Sequence, residues 1–71
     1  MTGTIIRILH VKGFGFLLDE EGAERFIHVA DLLDETAWAT LRGGIRVEFK
    51  PIHRPNGSGN QLGVADLRVT E

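Results

Sequence analysis

Residues 13–29 place Phe14 and Phe16 one residue apart, and then Phe26 and His28 at the same period of two residues. The stretches "GFGFLL" and "RFIHV" both have this period, which is typical of strands whose two faces differ. Between them, "DEEGAE" has the composition of a turn, and Gly22 suits a positive φ there. Helical periodicity is almost absent from the rest of the chain. The sequence is therefore predicted to fold as an all-β protein.

Five short strands are predicted from this alternation and from β-branched content. They cover about residues 3–10, 14–18, 25–29, 45–53 and 61–69. Pro51 lacks an N–H, so the end of the fourth strand is expected at an edge or a bulge. We expect a short turn of helix and a long crossing loop before that strand, and a hairpin turn at "RPNGSGN" after it.

Size and composition limit the fold and function classes. The chain has 71 residues, so we expect one small domain over residues 1–71, and five short strands are too few for a sandwich. The usual closed arrangement is a five-stranded antiparallel barrel of the OB type. No cysteine is present, which excludes disulfides and thiolate metal sites. We expect a cytoplasmic protein with no membrane partner, because no charged leader and no long apolar run is found.

The alternation also predicts which side chains point outward. A barrel core needs aliphatic residues, and Leu17 and Ile27 supply them at one phase of the second and third strands. The opposite phase would bury a histidine and leave these two residues in water. The favoured phase places four side chains outward on adjacent antiparallel strands: Phe14, Phe16, Phe26 and His28.

An outward aromatic surface of this kind suits unstacked nucleobases, since every base has a π-face. Lys12 stands at the head of the second strand, where it can meet a phosphate. The formal net charge of −2 argues against a nucleic-acid binder driven by bulk positive charge. It is compatible with a local basic patch combined with stacking. Simple core packing of the phenylalanines is the competing interpretation.

"KGFGF" followed by "FIHV", in a five-strand pattern opened by "MTG", resembles the cold-shock domain of bacterial cold-shock and Y-box proteins. The resemblance covers residues 2–70 and implies an OB barrel that binds single-stranded RNA or DNA, often as an RNA chaperone, without catalysis or cofactors. An RRM shares the Lys-Gly-Phe-Gly-Phe motif, but it needs two amphipathic helices and has its two motifs in the opposite order.

The chain departs from the family pattern at several positions. The family's Lys-Trp-Phe-Asn run is replaced by "IRIL" at residues 6–9, and the aromatic residue that commonly follows the motif histidine is Val29. Arg7 can partly replace a ring, because guanidinium planes stack on bases. Arg25 stands where the family tends to have an aliphatic residue, and we expect its head group to pair with an acid of the 19–24 turn.

Two functional hypotheses follow. The first is binding of single-stranded nucleic acid, more weakly than in typical family members; the predicted binding residues are Arg7, Lys12, Phe14, Phe16, Phe26, His28 and Trp38. Trp38 has two predicted roles, packing the long loop onto the barrel or stacking a base. The second hypothesis is a protein-interaction or self-associating module, since Ile8 and Val29 in place of rings would make the surface apolar. Either way a monomer or weak homodimer is expected. No nucleophile–base pair, metal-ligand spacing or small-molecule site is predicted, so we do not expect an enzyme.

Overall fold

A computed structural model describes residues 1–56 and 59–70 of the protein, and the side chains of residues 1–53 and 61–70. Its five strands are β1 (Thr2–Leu9), β2 (Phe14–Asp19), β3 (Glu24–His28), β4 (Arg46–Asn56) and β5 (Gly59–Val69). They form one antiparallel sheet in the order β3-β2-β1-β4-β5. The prediction of an all-β fold with five strands is confirmed.

The expected helical turn and crossing loop consist of two short 3-10 helices, η1 (Val29–Asp31) and η2 (Glu35–Thr40). Both lie between β3 and β4, and Asp34 caps η2 by accepting a hydrogen bond from the Thr36 N–H. No helix in the described part of the chain is long and apolar enough to span a membrane.

The two edge strands of the sheet pack against each other without a ladder between them in the described residues. A parallel bridge joins Leu32, just after η1, to Leu67 of β5. The Arg25 side chain of β3 also donates a hydrogen bond to the Gly63 carbonyl of β5, at 2.8 Å. A side chain therefore connects the edges where main-chain pairing is absent.

The core lies between the inner faces of these strands. Leu17 and Ile27 are fully buried, as the favoured phase predicts, and Val47 and Phe49 of β4 are buried as well. The remaining members of the core are contributed by β1, β5 and the segment that carries η1 and η2: Ile5, Leu32, Trp38, Leu41, Val64 and Leu67.

Strand β1 contains a bulge that changes its phase. Its register with β2 shifts between Ile5 and Arg7, which leaves Ile6 as the extra residue. Ile8 consequently packs against the core, where it fills the space beside Gly15: a Cβ on Gly15 would lie 2.7 Å from the Ile8 Cδ1 atom. The interpretation of Ile8 as an outward replacement for a stacking ring is therefore wrong.

Strands β4 and β5 form a long hairpin, which extends past the part of β4 that pairs with β1. The part of β4 that pairs with β1 is Arg46–Glu48. A second register shift, in the pairing of β4 with β5, lies between Glu48 and Lys50. Pro51 follows this shift and pairs with β5 alone among the described strands, which confirms its expected place at an edge. The predicted hairpin turn is shorter than "RPNGSGN", since strand pairing continues to Asn56 and Gly59, and residues 57–58 lie outside the described residues.

Candidate functional site

Three phenylalanines meet on the outer face of β2 and β3. Phe16 and Phe26 are register partners, and Phe14 is the register partner of His28. The rings of Phe14 and Phe26 are stacked, with centroids 5.6 Å apart and an interplanar angle of 28°. Phe16 lies edge-on to both, at 6.1 Å from Phe14 and 5.9 Å from Phe26. We call these three residues and His28 the aromatic face.

The aromatic face is only partly covered by the protein. All three phenylalanines are half-buried and none belongs to the buried core, while His28 is exposed. Since Leu17 and Ile27, at the opposite phase of the same strands, are fully buried, the predicted orientation of β2 and β3 is confirmed. The rings contact one another, and part of their surface remains open to solvent.

His28 is held in place by the first 3-10 helix, of which it is the N-cap. Its Nδ1 atom accepts a hydrogen bond from the Ala30 N–H, at 3.1 Å. In return, the His28 N–H donates to Oδ2 of Asp31 at 2.9 Å, which completes a capping box. Local backbone requirements after β3 therefore fix the imidazole at the end of the aromatic face.

Two exposed cations flank the rings. Lys12 lies in the tight turn between β1 and β2, where the N–H groups of Lys12 and Gly13 both donate to the Leu9 carbonyl. Gly13 has a φ of 79°, a conformation that favours glycine. Arg7 is the register partner of Phe16, because the β1 bulge turns it to the outer side. Neither Lys12 nor Arg7 forms an ion pair with a described residue.

Trp38 is not part of the aromatic face. Its side chain is 8% exposed and belongs to the core, and its Nε1–H donates to the His10 carbonyl at 3.2 Å. The His10 and Trp38 rings also meet edge to face, with centroids 6.0 Å apart. Of the two roles predicted for Trp38, the structure places it in the first, which is packing the crossing segment onto the sheet.

A buried ion pair lies behind the aromatic face. Arg25 donates from Nε to Oδ2 of Asp19 at 2.8 Å, and its guanidinium lies 5.6 Å from the centroid of the Phe49 ring. The predicted pairing of Arg25 with an acid of the 19–24 turn is confirmed. Burial alone would raise the pKa of the Asp19 carboxyl. The hydrogen bonds from the Ala23 N–H, the Arg25 side chain and the Glu21 N–H outweigh that effect and hold the pKa below its ordinary value.

Three residues next to the rings were missed by sequence reasoning. Leu9 is the register partner of Phe14 on β1, on the same side of the sheet. Gln61 and Leu62 of β5 border a shallow groove of about 180 Å³ that continues from Phe16 and Phe26. The period-two pattern gave no signal for Leu9, since the bulge reverses its phase, and the contact with β5 depends on how the sheet curls.

No group of three or more His, Cys, Asp or Glu side chains that could hold a metal ion is found in the described residues. Comparison with known proteins adds no identification: no protein-family model matches the sequence, and no curated protein matches it either.

Proposed function

We propose that this protein binds single-stranded RNA or DNA by stacking bases on the aromatic face, and that its curled sheet is an OB barrel of the cold-shock type. The observation that carries the proposal is the cluster of three half-exposed rings within 6.1 Å of one another on the outer side of β2 and β3. Lys12 and Arg7, which form no ion pair with a described residue, border the cluster and can meet a phosphate backbone. The resemblance to cold-shock domains supports the same class of ligand and an RNA-chaperone role in the cytoplasm.

The size of the aromatic face sets the expected affinity. Stacking is worth about 1–3 kcal/mol per base, so three stacked bases supply roughly 3–9 kcal/mol. Ordering a flexible strand and its phosphates subtracts from that sum. A Kd of 1 μM corresponds to about 8.2 kcal/mol, so we expect micromolar or weaker binding of a short strand. The absence of aromatic residues from β1 makes the site smaller than in typical cold-shock domains.

A direct test compares two outward residues of β2. Phe16 and Leu18 lie on the same face of the strand, and Leu18 is 45% exposed. Binding of a fluorescein-labelled heptathymidylate is measured by anisotropy at low salt. The Phe16→Ala variant should bind about 5- to 150-fold more weakly, from the stacking energy of one base. Leu18→Ala, the matched control, should bind like the wild type.

Two results would refute nucleic-acid binding by the aromatic face. A wild type that shows no anisotropy change at low salt, and no shift of the Phe14 or Phe26 resonances on titration, would refute the proposal. So would equal affinities of Phe16→Ala and Leu18→Ala. A matched blunt duplex should compete poorly, since its bases are already stacked inside the helix.

Self-association is the second candidate function. The sequence suggests it through Ile8 and Val29, but both residues pack against the core and do not enlarge the outer apolar surface. The exposed Leu18 near Phe16 still supports self-association, because it lengthens the outer apolar patch. Size-exclusion chromatography distinguishes the two functions. A dimer that is lost in Leu18→Ala favours self-association, and a concentration-independent monomer rejects it.

A further inference from the structure

The hydrogen bonds of His28 determine where its proton lies. The Ala30 backbone N–H can only donate, so the Nδ1 atom that it meets at 3.1 Å has to be the acceptor. A neutral imidazole has one N–H donor and one acceptor nitrogen. With Nδ1 engaged as the acceptor, the neutral ring carries its proton on Nε2.

The orientation of the ring is fixed as firmly as its tautomer. The reciprocal bond from the His28 N–H to Asp31 Oδ2 closes the capping box, and turning the imidazole over would break the bond from Ala30. The start of η1 is anchored in turn, because the Val29 N–H donates to the Gly13 carbonyl at 2.9 Å. Gly13 directly precedes Phe14, so hydrogen bonds link the histidine and that ring at one corner of the sheet.

The Nε2–H group has no acceptor among the described residues, and the His28 side chain is exposed. It therefore presents one directed donor beside Phe14, its register partner across β2 and β3. Lys12 and Arg7 also carry donors near the rings, on longer side chains with more rotatable bonds. His28 is the short, preorganised donor of the aromatic face.

We propose that His28 is a specificity-determining residue, whose Nε2–H reads a carbonyl oxygen of the base that stacks at the Phe14 end. This inference rests on the proposed function. The ligand class is a base with an exocyclic carbonyl oxygen, such as uracil or thymine, and not a flat ring in general. A stacked group without an acceptor removes water from Nε2–H and offers no hydrogen bond in return.

The test uses a base that stacks but cannot accept a hydrogen bond. In one heptanucleotide all thymines are replaced by difluorotoluene, which has thymine's shape without its carbonyl oxygens. Wild-type protein should bind heptathymidylate about 3- to 10-fold more tightly than this isostere, the ratio expected for one net hydrogen bond.

A matched variant separates the cap from the donor. His28→Asn keeps a side-chain oxygen that is suited to the N-cap but is too short to place a donor where Nε2 lies. In this variant the ratio between the two oligonucleotides should fall to about 1, while its thermal midpoint stays near that of the wild type. Phe16→Ala, in contrast, should weaken binding of both oligonucleotides and keep the ratio.

These measurements distinguish a failure of nucleic-acid binding from a failure of the role of His28. If heptathymidylate does not bind the wild type at all, nucleic-acid binding is refuted together with this inference. If both oligonucleotides bind equally well, or if their ratio is the same in the wild type and His28→Asn, only the role of His28 is overturned. Long-range proton–nitrogen NMR spectra of the free wild type at pH 8 should show the proton on Nε2. A proton on Nδ1 would also overturn the inference.

Discussion

Replacing Asp19 by asparagine removes a buried negative charge and keeps an oxygen that the turn after β2 needs. Oδ1 of Asp19 accepts hydrogen bonds from the Glu21 and Ala23 N–H groups, both at 2.9 Å, and the asparagine oxygen can accept both. The amide nitrogen then occupies the place of Oδ2, where it faces the Arg25 Nε–H. Two donors then face each other at that point, and Arg25, a residue that is 6% exposed, loses its counter-charge.

The expected loss of unfolding free energy depends on the contacts that Arg25 retains in the variant. Removing one partner of a buried ion pair typically costs about 3–5 kcal/mol, and a hydrogen bond to a charged group is worth about 1.5–3 kcal/mol. Arg25 retains the Gly63 carbonyl at 2.8 Å and its contact with the Phe49 ring. We therefore expect the free energy of unfolding to fall by about 2–3 kcal/mol. A domain of this size has roughly 4–11 kcal/mol in total, so the thermal midpoint should fall by about 10–20 °C.

The difference in unfolding free energy between wild type and Asp19→Asn should depend on pH. The pKa of Asp19 is lowered in the folded protein, so its charge stabilises the fold above the unfolded pKa of about 3.9 and that contribution is lost as pH falls through the folded value. The difference in unfolding free energy between wild type and Asp19→Asn should be constant above about pH 5 and shrink below about pH 4. Urea titrations followed by Trp38 fluorescence at several pH values measure it.

The control is an exposed ion pair of the same chemistry. Glu48 accepts from Arg68 on the outer side of β4 and β5, where the Arg68 side chain is exposed and the Glu48 side chain is partly exposed. Glu48→Gln should change the urea midpoint little, since surface pairs are screened by water. Equal effects of Asp19→Asn and Glu48→Gln at pH 7 would show that burial adds nothing to the Arg25–Asp19 pair. A difference between wild type and Asp19→Asn that persists undiminished at pH 3 would show that the Asp19 charge is not its cause.

Three further measurements test other parts of the structure. Gly15→Ala should lower the urea midpoint strongly, because the new Cβ would lie 2.4 Å from the Arg7 carbonyl oxygen. In Gly22→Ala the new Cβ meets no atom within 4 Å, so the free energy of unfolding should fall only by the about 1–2 kcal/mol that the left-handed φ costs alanine. Trp38 should emit as a buried indole and change little on oligonucleotide binding, whereas a large quench would place it at the interface. Affinity should fall with salt at a logarithmic slope of about −1.4, for phosphate contacts by Lys12 and Arg7, and Lys12→Ala should reduce the slope by about 0.7. A slope that Lys12→Ala leaves unchanged would mean that the phosphates bind elsewhere.

The sequence predicted β2 and β3 well, because their alternation is regular and no bulge interrupts the pairing between them. Under those conditions the period of two residues fixes which side chains face the core, and Leu17 and Ile27 lie where the alternation places them. The Arg25–Asp19 pair could be predicted for a related reason. An arginine at an inward position needs an acid within reach, and the adjacent turn supplies one.

Strand β1 could not be predicted in the same detail. Its run of isoleucines around Arg7 is compatible with either phase, so hydrophobicity alone does not reveal an extra residue. The bulge depends on a partner strand, since Ile8 packs beside Gly15 of β2. Trp38 is a similar case. Whether a loop indole is covered or open depends on tertiary contacts, here a hydrogen bond to the His10 carbonyl from 28 positions earlier in the chain.

The bulge in β1 has a consequence for how this strand tolerates changes in length. Gaining or losing one residue in a strand normally exchanges its two faces, so insertions and deletions are confined to loops. Ile6 is the one residue of β1 that stands outside the alternation, between a buried Ile5 and an outward Arg7. Losing the codon for Ile6 would leave every other residue of the strand on its present side. A strand that borders the aromatic face thus has a position at which one residue can be deleted without exchanging its inward and outward faces.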